Sequence, residues 1–421
     1  MNARTLISIL VLSVSVPGFS QLTIGAELRP RAMFDNGYSA PVPADSPPRL
    51  YVTQRTRLNA GFKTGKFETY LSVQDVRFWG GDNQFKAGGA FGSTASMSLH
   101  QAWFIAKPAQ WFSLKVGRQQ LVYDDQRILG SRGWNDTQVS YDAVLARAGN
   151  ASHRVELALS WNAESSQEVA LSPLKFKTLD FVRYQHTMEK LSWSLITLIT
   201  GNYVGTTGDE VWYRATWGAN TVYTGKAVQG RASLYYQHHL NLAGGELSAL
   251  CGNVNIGVPV IPDRMLWFLG MEYLSGQDGM DSGTGRTNHV FDRLYGNRHT
   301  WYGYMDYFNT TPAQGLEDYM VKGEFRIGES LVLYTDYHYF RLAAPMPDPE
   351  NPTQEASRHL AHELDLTLNW TISDQAALQA GYSVMLPGTS LEIIKNVADT
   401  PIRLPRFAYV MITLKPSFTL N

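Results

Sequence analysis

Cysteine is almost absent from this chain: Cys251 stands alone in 421 residues. No intramolecular disulfide can form, and no thiolate cluster can hold a metal. Long apolar runs are missing too. Beyond the N-terminus no stretch of about 18 uncharged apolar residues occurs, which excludes a helical membrane span. Neither sign of charge is in excess. The 36 basic and 37 acidic residues give a formal net charge of −1, so a globally basic nucleic-acid binder is excluded. Any preference for charged cargo must come from where the charges sit. Catalytic signatures are lacking as well, with no G-x-S-x-G elbow and no phosphate-binding loop. The chain is therefore not read as an enzyme, and neither cofactor nor metal is expected.

What is present begins with an export signal. Met1–Ser20 carries Arg4, an apolar run from Leu6 to Val16, then Pro17, Gly18, Phe19 and Ser20, the outline of a secretory signal peptide cleaved before Gln21. Residues 21–421 are expected to form one unit. Aromatics make up 12% of the chain, and Tyr and Trp suit the belts where a barrel wall meets lipid headgroups.

Period-two alternation runs through most of the mature chain. Val155, Leu157, Leu159 and Trp161 oppose Arg154, Glu156, Ser160 and Asn162. Val211, Tyr213, Ala215, Trp217 and Ala219 oppose Glu210, Arg214, Thr216 and Asn220. Leu364, Leu366, Leu368 and Trp370 oppose Glu363, Asp365, Thr367 and Asn369. Successive side chains of a strand point to opposite faces, so each segment is a ribbon with one apolar and one polar face. About 18 such ribbons are expected, the first over 22–34 and the last over 405–418. Short connections such as Lys63-Thr64-Gly65-Lys66 alternate with long ones such as Asp35–Arg49, Asp124–Asn135 and Ser275–Leu316. That is the rhythm of an all-β transmembrane antiparallel barrel with short periplasmic turns and long extracellular loops. His299–Phe308 reads as a nineteenth ribbon, but counting it would reverse the parity of every later turn. It is placed inside the long connection 276–316, as an extension or an inward-folded loop. Eighteen strands about 4.8 Å apart and tilted by about 40° enclose a radius near ~18 Å. Side chains cannot fill that width, so the lumen is either an open channel or one narrowed by loops.

The polar face of such a barrel is the lumen, because a basic residue on lipid near the midplane costs about 2–4 kcal/mol. Glu27, Arg29 and Arg31 line up on the first strand, Arg55 and Arg57 on the second, Asp136 and Asp142 with Gln138 and Ser140 on the sixth. Gln229, Arg231, Ser233 and Gln237 line up on the eleventh, and Lys322, Glu324 and Arg326 on the fourteenth. Arginine keeps its charge at working pH and offers a planar fork of donors. Rows of it spaced by acids suit the passage of carboxylates, although the same rows could simply brace the wall. One stretch does not settle its own phase: Val116 and Leu121 disagree about the direction of Arg118.

Gly117-Arg118-Gln119, then Tyr123-Asp124-Asp125-Gln126-Arg127 with Leu129-Gly130, then Trp134-Asn135 and Tyr141-Asp142, resembles the alginate export family of outer-membrane barrels. Phe291-Asp292-Arg293-Leu294-Tyr295, followed by His299-Thr300-Trp301-Tyr302-Gly303-Tyr304-Met305-Asp306, is similar to a second hallmark of that family. The resemblance implies an 18-stranded barrel passing acidic polysaccharide through an electropositive channel. It makes Arg118 and Arg127 channel arginines, with Asp125, Asp136 and Asp142 as acidic partners. The expected function is thus an outer-membrane channel for anionic polysaccharide or sugar acids, its lumen lined by Arg29, Arg55, Arg57, Arg118, Asp125, Arg127, Asp136, Asp142, Arg231 and Arg326. The alternatives are an outer-membrane lipid or sugar hydrolase and a non-conducting structural barrel. Expected partners are the cargo, the bilayer with its lipopolysaccharide, and a periplasmic export machine. A monomer in the Gram-negative outer membrane is expected, with no nucleic acid. Trp301-Tyr302-Gly303-Tyr304 is expected to pack a loop against the rim, with sugar stacking as its second use.

Overall fold

The structure is a computed structural model that describes residues 20–81, 96–162, 176–204, 210–240, 245–281, 283 and 286–421. The expected signal peptide, up to residue 19, lies outside them. From Gln21 onward the polar/apolar alternation is realised as strands: β1 (Gln21–Asn36), β2 (Arg49–Lys63), β3 (Phe67–Phe78), β4 (Ser96–Ala109), β5 (Phe112–Gln119), β6 (Tyr141–Gly149), β7 (His153–Trp161), β8 (Phe176–Thr187) and β9 (Leu191–Val204) make the first half. The second half is β10 (Glu210–Thr224), β11 (Gln229–Leu240), β12 (Glu246–Ile261), β13 (Met265–Leu274), β14 (Leu316–Ile327), β15 (Leu331–Arg341), β16 (His359–Ser373), β17 (Ala376–Pro387), β18 (Arg406–Leu414) and β19 (Ser417–Leu420).

Each strand pairs antiparallel with its neighbours in sequence, and β1 pairs with β2 on one side and with both β18 and β19 on the other. β18 and β19 are one strand interrupted at Lys415-Pro416, since proline brings no N–H to the ladder. The sheet is therefore a closed cylinder of 18 strands, as the turn parity required. Closure removes the exposed edges that an open sheet would present.

The two faces differ as the alternation demands. Leu58 is 66% exposed between Arg55, Arg57 and Asn59, whose row turns inward. Val155, Leu157, Leu159 and Trp161 face out, with Glu156 and Ser160 buried on the other side. Tyr213 and Trp217 face out opposite buried Arg214 and Thr216. Leu364 and Trp370 do so opposite Glu363, Asp365 and Thr367.

The interior is not an open tube. Arg29, Arg31, Arg55, Gln237, Asp318 and Glu363 are all buried although they point into the lumen, because two long connections fold inward and fill it. One runs from 120 to 140 and the other, between β13 and β14, is described over 275–281, 283 and 286–315. No strand forms over His299–Phe308, which belongs to the second inward connection. A third connection, carrying the short helix α1 (Thr389–Ile394), packs above them; Lys395 just beyond it donates from Nζ to the Tyr307 carbonyl at 2.8 Å.

Candidate functional site

The first inward loop is fastened to strands all round the cylinder. Asp124 accepts from Arg183 of β8 at 2.6 Å and from Ser194 of β9 at 2.6 Å. Asp125 accepts from Ser233 and Tyr235 of β11 at 2.6 and 2.7 Å. Arg127 reaches β13, donating from Nε and Nη2 to the two oxygens of Glu272 at 3.1 and 2.8 Å, while Nη1 holds Asp125 at 2.9 Å. Farther along, Arg29 donates to the Gly133 carbonyl at 2.7 Å and to Asp136 at 2.6 Å, and Arg31 donates to the Trp134 carbonyl at 2.9 Å and to Asp136 at 3.1 Å. Arg55 pairs with Glu27 at 2.5 Å and also donates to the Asp136 carbonyl. Contacts to β1, β2, β8, β9, β11 and β13 at once are open only to a loop lying within the lumen.

Electrostatics secure the same fasteners. Burial alone would raise Asp125, but the Arg127 charge and the two hydroxyl donors outweigh it and hold the carboxyl below its ordinary range. Burial likewise opposes ionisation of Asp136, and Arg31 and Arg29 more than offset it. A buried charge is tolerated only when it is paired and hydrogen-bonded in this way.

The second inward loop interlocks with the first. Tyr295 N donates to the Ile128 carbonyl, Asn297 N to the Gln126 carbonyl and Gly130 N to the Tyr295 carbonyl, at 3.1, 2.8 and 3.3 Å. Arg132 donates to the Gly296 and Leu294 carbonyls at 3.2 and 3.0 Å. The approach at Gly296 is so close that a Cβ there would lie 1.9 Å from the Arg127 carbonyl oxygen, so only glycine fits. The wall holds this loop through acids: Glu363 accepts from Met305 N at 2.7 Å, Asp365 from Tyr304 N at 3.2 Å, and Arg214 pairs with Asp292 at 2.8 Å. Gly303 at φ +79° turns the chain directly over the Glu363 carboxylate. Three rings stack where the loops meet, Trp134 on His299 at 3.9 Å and His299 on Tyr304 at 4.5 Å. Arg31 lies 4.0 Å over the Trp134 ring.

Unfilled space remains around this plug. A cavity of about 600 Å³ is bordered by Tyr123, Arg147, Arg154, Glu156, Arg183, Trp193, Arg231 and Trp301. Another of about 340 Å³ shares Val222, Arg231, Thr300 and Trp301 with it and is bordered also by Tyr304, Lys322 and Asp336. A third, of about 190 Å³, lies between the two loops and again touches Thr300.

The structure redistributes the residues singled out in the sequence. Arg231 and Arg326 face the interior, Arg231 at the shared border of the two larger cavities and Arg326 beside Glu324 at 2.7 Å near the short turns. Arg57 faces inward too, but its guanidinium is held by Gln74. Arg29, Arg55, Asp125, Arg127 and Asp136 are fasteners of the plug; the Arg127 side chain has no exposed surface at all. Arg118 and Asp142 require a correction. They pair with each other at 2.8 Å and sit side by side in the ladder, in the row of Val116 and Val144, which are 42% and 39% exposed. That row faces outward, so neither residue lines the lumen, and Asp142 is not a partner of Arg127. Asp136, Gln138 and Ser140 likewise precede β6 and lie in the loop. The phase inverts in β6 because its inward neighbours are the plug's side chains instead of water: Tyr141 packs edge-on to Tyr295 at 5.7 Å and Ala143 and Leu145 are buried. Val116 and Leu121 disagreed because β5 stops at Gln119 and Leu121 is already buried in the plug. Glu272 and Arg132 were not singled out in the sequence, because their partners, Arg127 and the carbonyls of Leu294 and Gly296, lie 145 to 164 residues away along the chain. In the aromatic stretch, Tyr302 is buried within the plug while Trp301 borders both large cavities with Arg127 stacked 4.0 Å away.

A closed 18-stranded antiparallel cylinder with an apolar outer face and loops folded into its bore is the porin fold. The alginate export family's sequence profile matches residues 20–167, in accord with the resemblance seen in the first hallmark segment. Among solved structures, a BenF-like porin from Pseudomonas fluorescens Pf-5 superposes with a TM-score of 0.63 at 12% identity, over 94% of this chain and 99% of that one. OpdK from Pseudomonas aeruginosa, solved with vanillate, gives 0.61 at 10% identity over 94% and 99%. OccAB2 from Acinetobacter baumannii gives 0.61 at 13% identity over 94% and 98%. At such identities the likeness is one of fold. No curated protein matches the chain in sequence.

Proposed function

We propose that this protein is an outer-membrane channel for anionic solutes, sugar acids or their oligomers, whose bore is narrowed by its own interlocked loops. The observation that carries the reading is Arg231. It points into the lumen, is exposed there, lies 5.5 Å from the Trp301 ring and has no ion-pair partner among the described residues. Most other lumen arginines are committed to acids or carbonyls of the plug. A free guanidinium beside an indole, in a cavity walled from lipid, attracts a carboxylate and offers its hydrophobic part a flat surface. The outward apolar rows fit a hydrocarbon surround and give the bilayer location. The neighbour solved with vanillate, itself a carboxylate, favours a small cargo; the family profile favours an acidic polysaccharide, which would need the plug to move aside.

Reversal potentials in planar bilayers under a salt gradient test this reading. The wild type is expected to pass anions over cations, and Arg231→Ser to lose much of that preference with its barrel intact. Cation selectivity in the wild type, or an unchanged reversal potential in the variant, refutes it. Swelling of liposomes in glucuronate and in an alginate oligomer separates the small cargo from the polymer.

A further inference from the structure

The cavity between the two loops has a charge imbalance that the plug's architecture does not explain. Arg132 and Arg298 both border it. Neither meets a carboxylate. Arg132 donates to the Gly296 and Leu294 carbonyls, and Arg298 donates to the Asn309 and Leu294 carbonyls at 2.5 and 3.4 Å. The Nε of Arg298 is buried without any partner. Arg293, close by, is spent on the Phe308 carbonyl and the Tyr302 ring. The neighbouring acid, Asp292, is already taken by Arg214. Burial, then the charges of Arg293 and Arg132, pull Arg298 down to about 10. The one carboxylate on the cavity's lining, Asp306, is already engaged by Tyr38 and His299, so two guanidiniums held side by side without an ion pair favour an anion between them.

His299 completes the arrangement. Its ring is clamped between Trp134 and Tyr304, and Asp306 lies 3.1 Å from Nδ1. Asp306 is itself fixed by the Tyr38 hydroxyl, which accepts from Trp134 Nε1 at 2.9 Å. The charged and titratable groups around His299 are Asp306, Arg298 and Arg132 at the cavity, Tyr304 and Tyr38 against the stack, and Arg31 on the Trp134 ring. The side-chain amides of Asn135 and Asn309 also border the space and carry no partner among the described residues. A volume of about 190 Å³ holds about six waters, which is the scale of one small organic ion.

We propose that this cavity is a binding site for a small hydroxylated carboxylate, clamped by Arg132 and Arg298, with the His299 ring, held by Asp306, forming one wall. The guanidinium forks take the carboxylate, and the two free amides take hydroxyls. The assignment deepens the channel reading and rests on it for biological meaning, but its test does not need current.

Isothermal titration of the detergent-solubilised full chain with glucuronate, and with glucose as the neutral control, reads the site directly. Glucuronate is expected to bind and glucose not. Arg298→Gln and Arg132→Gln are each expected to weaken binding at least tenfold, and Arg298→Lys, which keeps the charge but not the fork, by less. Equal binding of glucose, or unchanged affinity in both Gln variants, overturns the assignment. Binding without anion-selective current in bilayers supports this site while sinking the channel reading; current without binding overturns the site alone.

Discussion

The Arg127–Glu272 pair is the place where the plug is most exposed to a single change. Replacing Arg127 with Met keeps much of the side chain's bulk and its contact with Trp301, but removes all three charge-assisted hydrogen bonds. Asp125 keeps Ser233, Tyr235 and the backbone N–H of residue 127. Glu272 loses the partner that held both its oxygens and is left as a buried, uncompensated charge, 1% exposed. Breaking a buried pair from one side costs about 3–5 kcal/mol. With each 1.4 kcal/mol worth about a factor of ten, the undocked fraction of the plug rises on the order of a thousandfold. The ladder from β12 to β14 does not depend on these side chains, so the cylinder stays closed. The expected result is a larger, noisier single-channel conductance with unchanged heat-modifiable migration. Arg127→Met/Glu272→Gln removes the stranded charge and is expected to return most of the way to wild type, since replacing both members of a buried pair is nearly neutral. Wild-type conductance in the single variant, or no recovery in the double, refutes the view that this pair holds the plug.

Arg118→Ser tests the outward placement: ion selectivity is expected to stay as in the wild type, because the lost charge faces away from the bore, and a shift in reversal potential would contradict the assigned face. Acid tests the fasteners: Asp125 and Asp136 have folded pKa values below their unfolded ones, so their contribution is complete above the unfolded value and lost only as pH falls through the folded value. A nitroxide on Ser131→Cys, in a Cys251→Ser background, is expected to stay immobile from pH 8 down to the ordinary carboxylate range and to loosen only below about pH 4; loosening already near pH 6 would show that other groups hold this loop.

The wall was legible in the sequence and the plug largely was not, for a physical reason that β6 makes plain. Alternation reports which face meets hydrocarbon and which meets water. It served for Glu363–Trp370 and Arg154–Trp161, where the inward neighbours are polar. Opposite Tyr141 the inward neighbour is the ring of Tyr295, carried there by a loop about 150 residues farther along the chain, and Ala143 and Leu145 on the same row are buried too. Apolar side chains then face in, Asp142 faces out, and a rule built on solvent returns the wrong face. The paired arginines were legible as inward but not as to purpose. Arg29, Arg31 and Arg55 would have served equally well as an anion ladder had no carboxylate or carbonyl been delivered to them, and only the fold shows Asp136 and the carbonyls of 133–136 arriving.

The two hallmark segments, met in the sequence as separate resemblances, meet in space as a single object: 126–132 and 294–297 are hydrogen-bonded to each other, and Gly130 and Gly296 are glycines because each lies against the other loop's backbone. What those motifs specify is therefore the obstruction, and with it the question of passage. A cylinder this wide would admit almost any small solute. In the proposed channel selectivity enters with the segments that close it, and the arginines left without an acid at these cavities include Arg154 and Arg231 on the wall and Arg132 and Arg298 in the plug. Thr300 lies on the border of all three cavities, so the arginines on the wall and those in the plug face space bounded by one residue of the second loop.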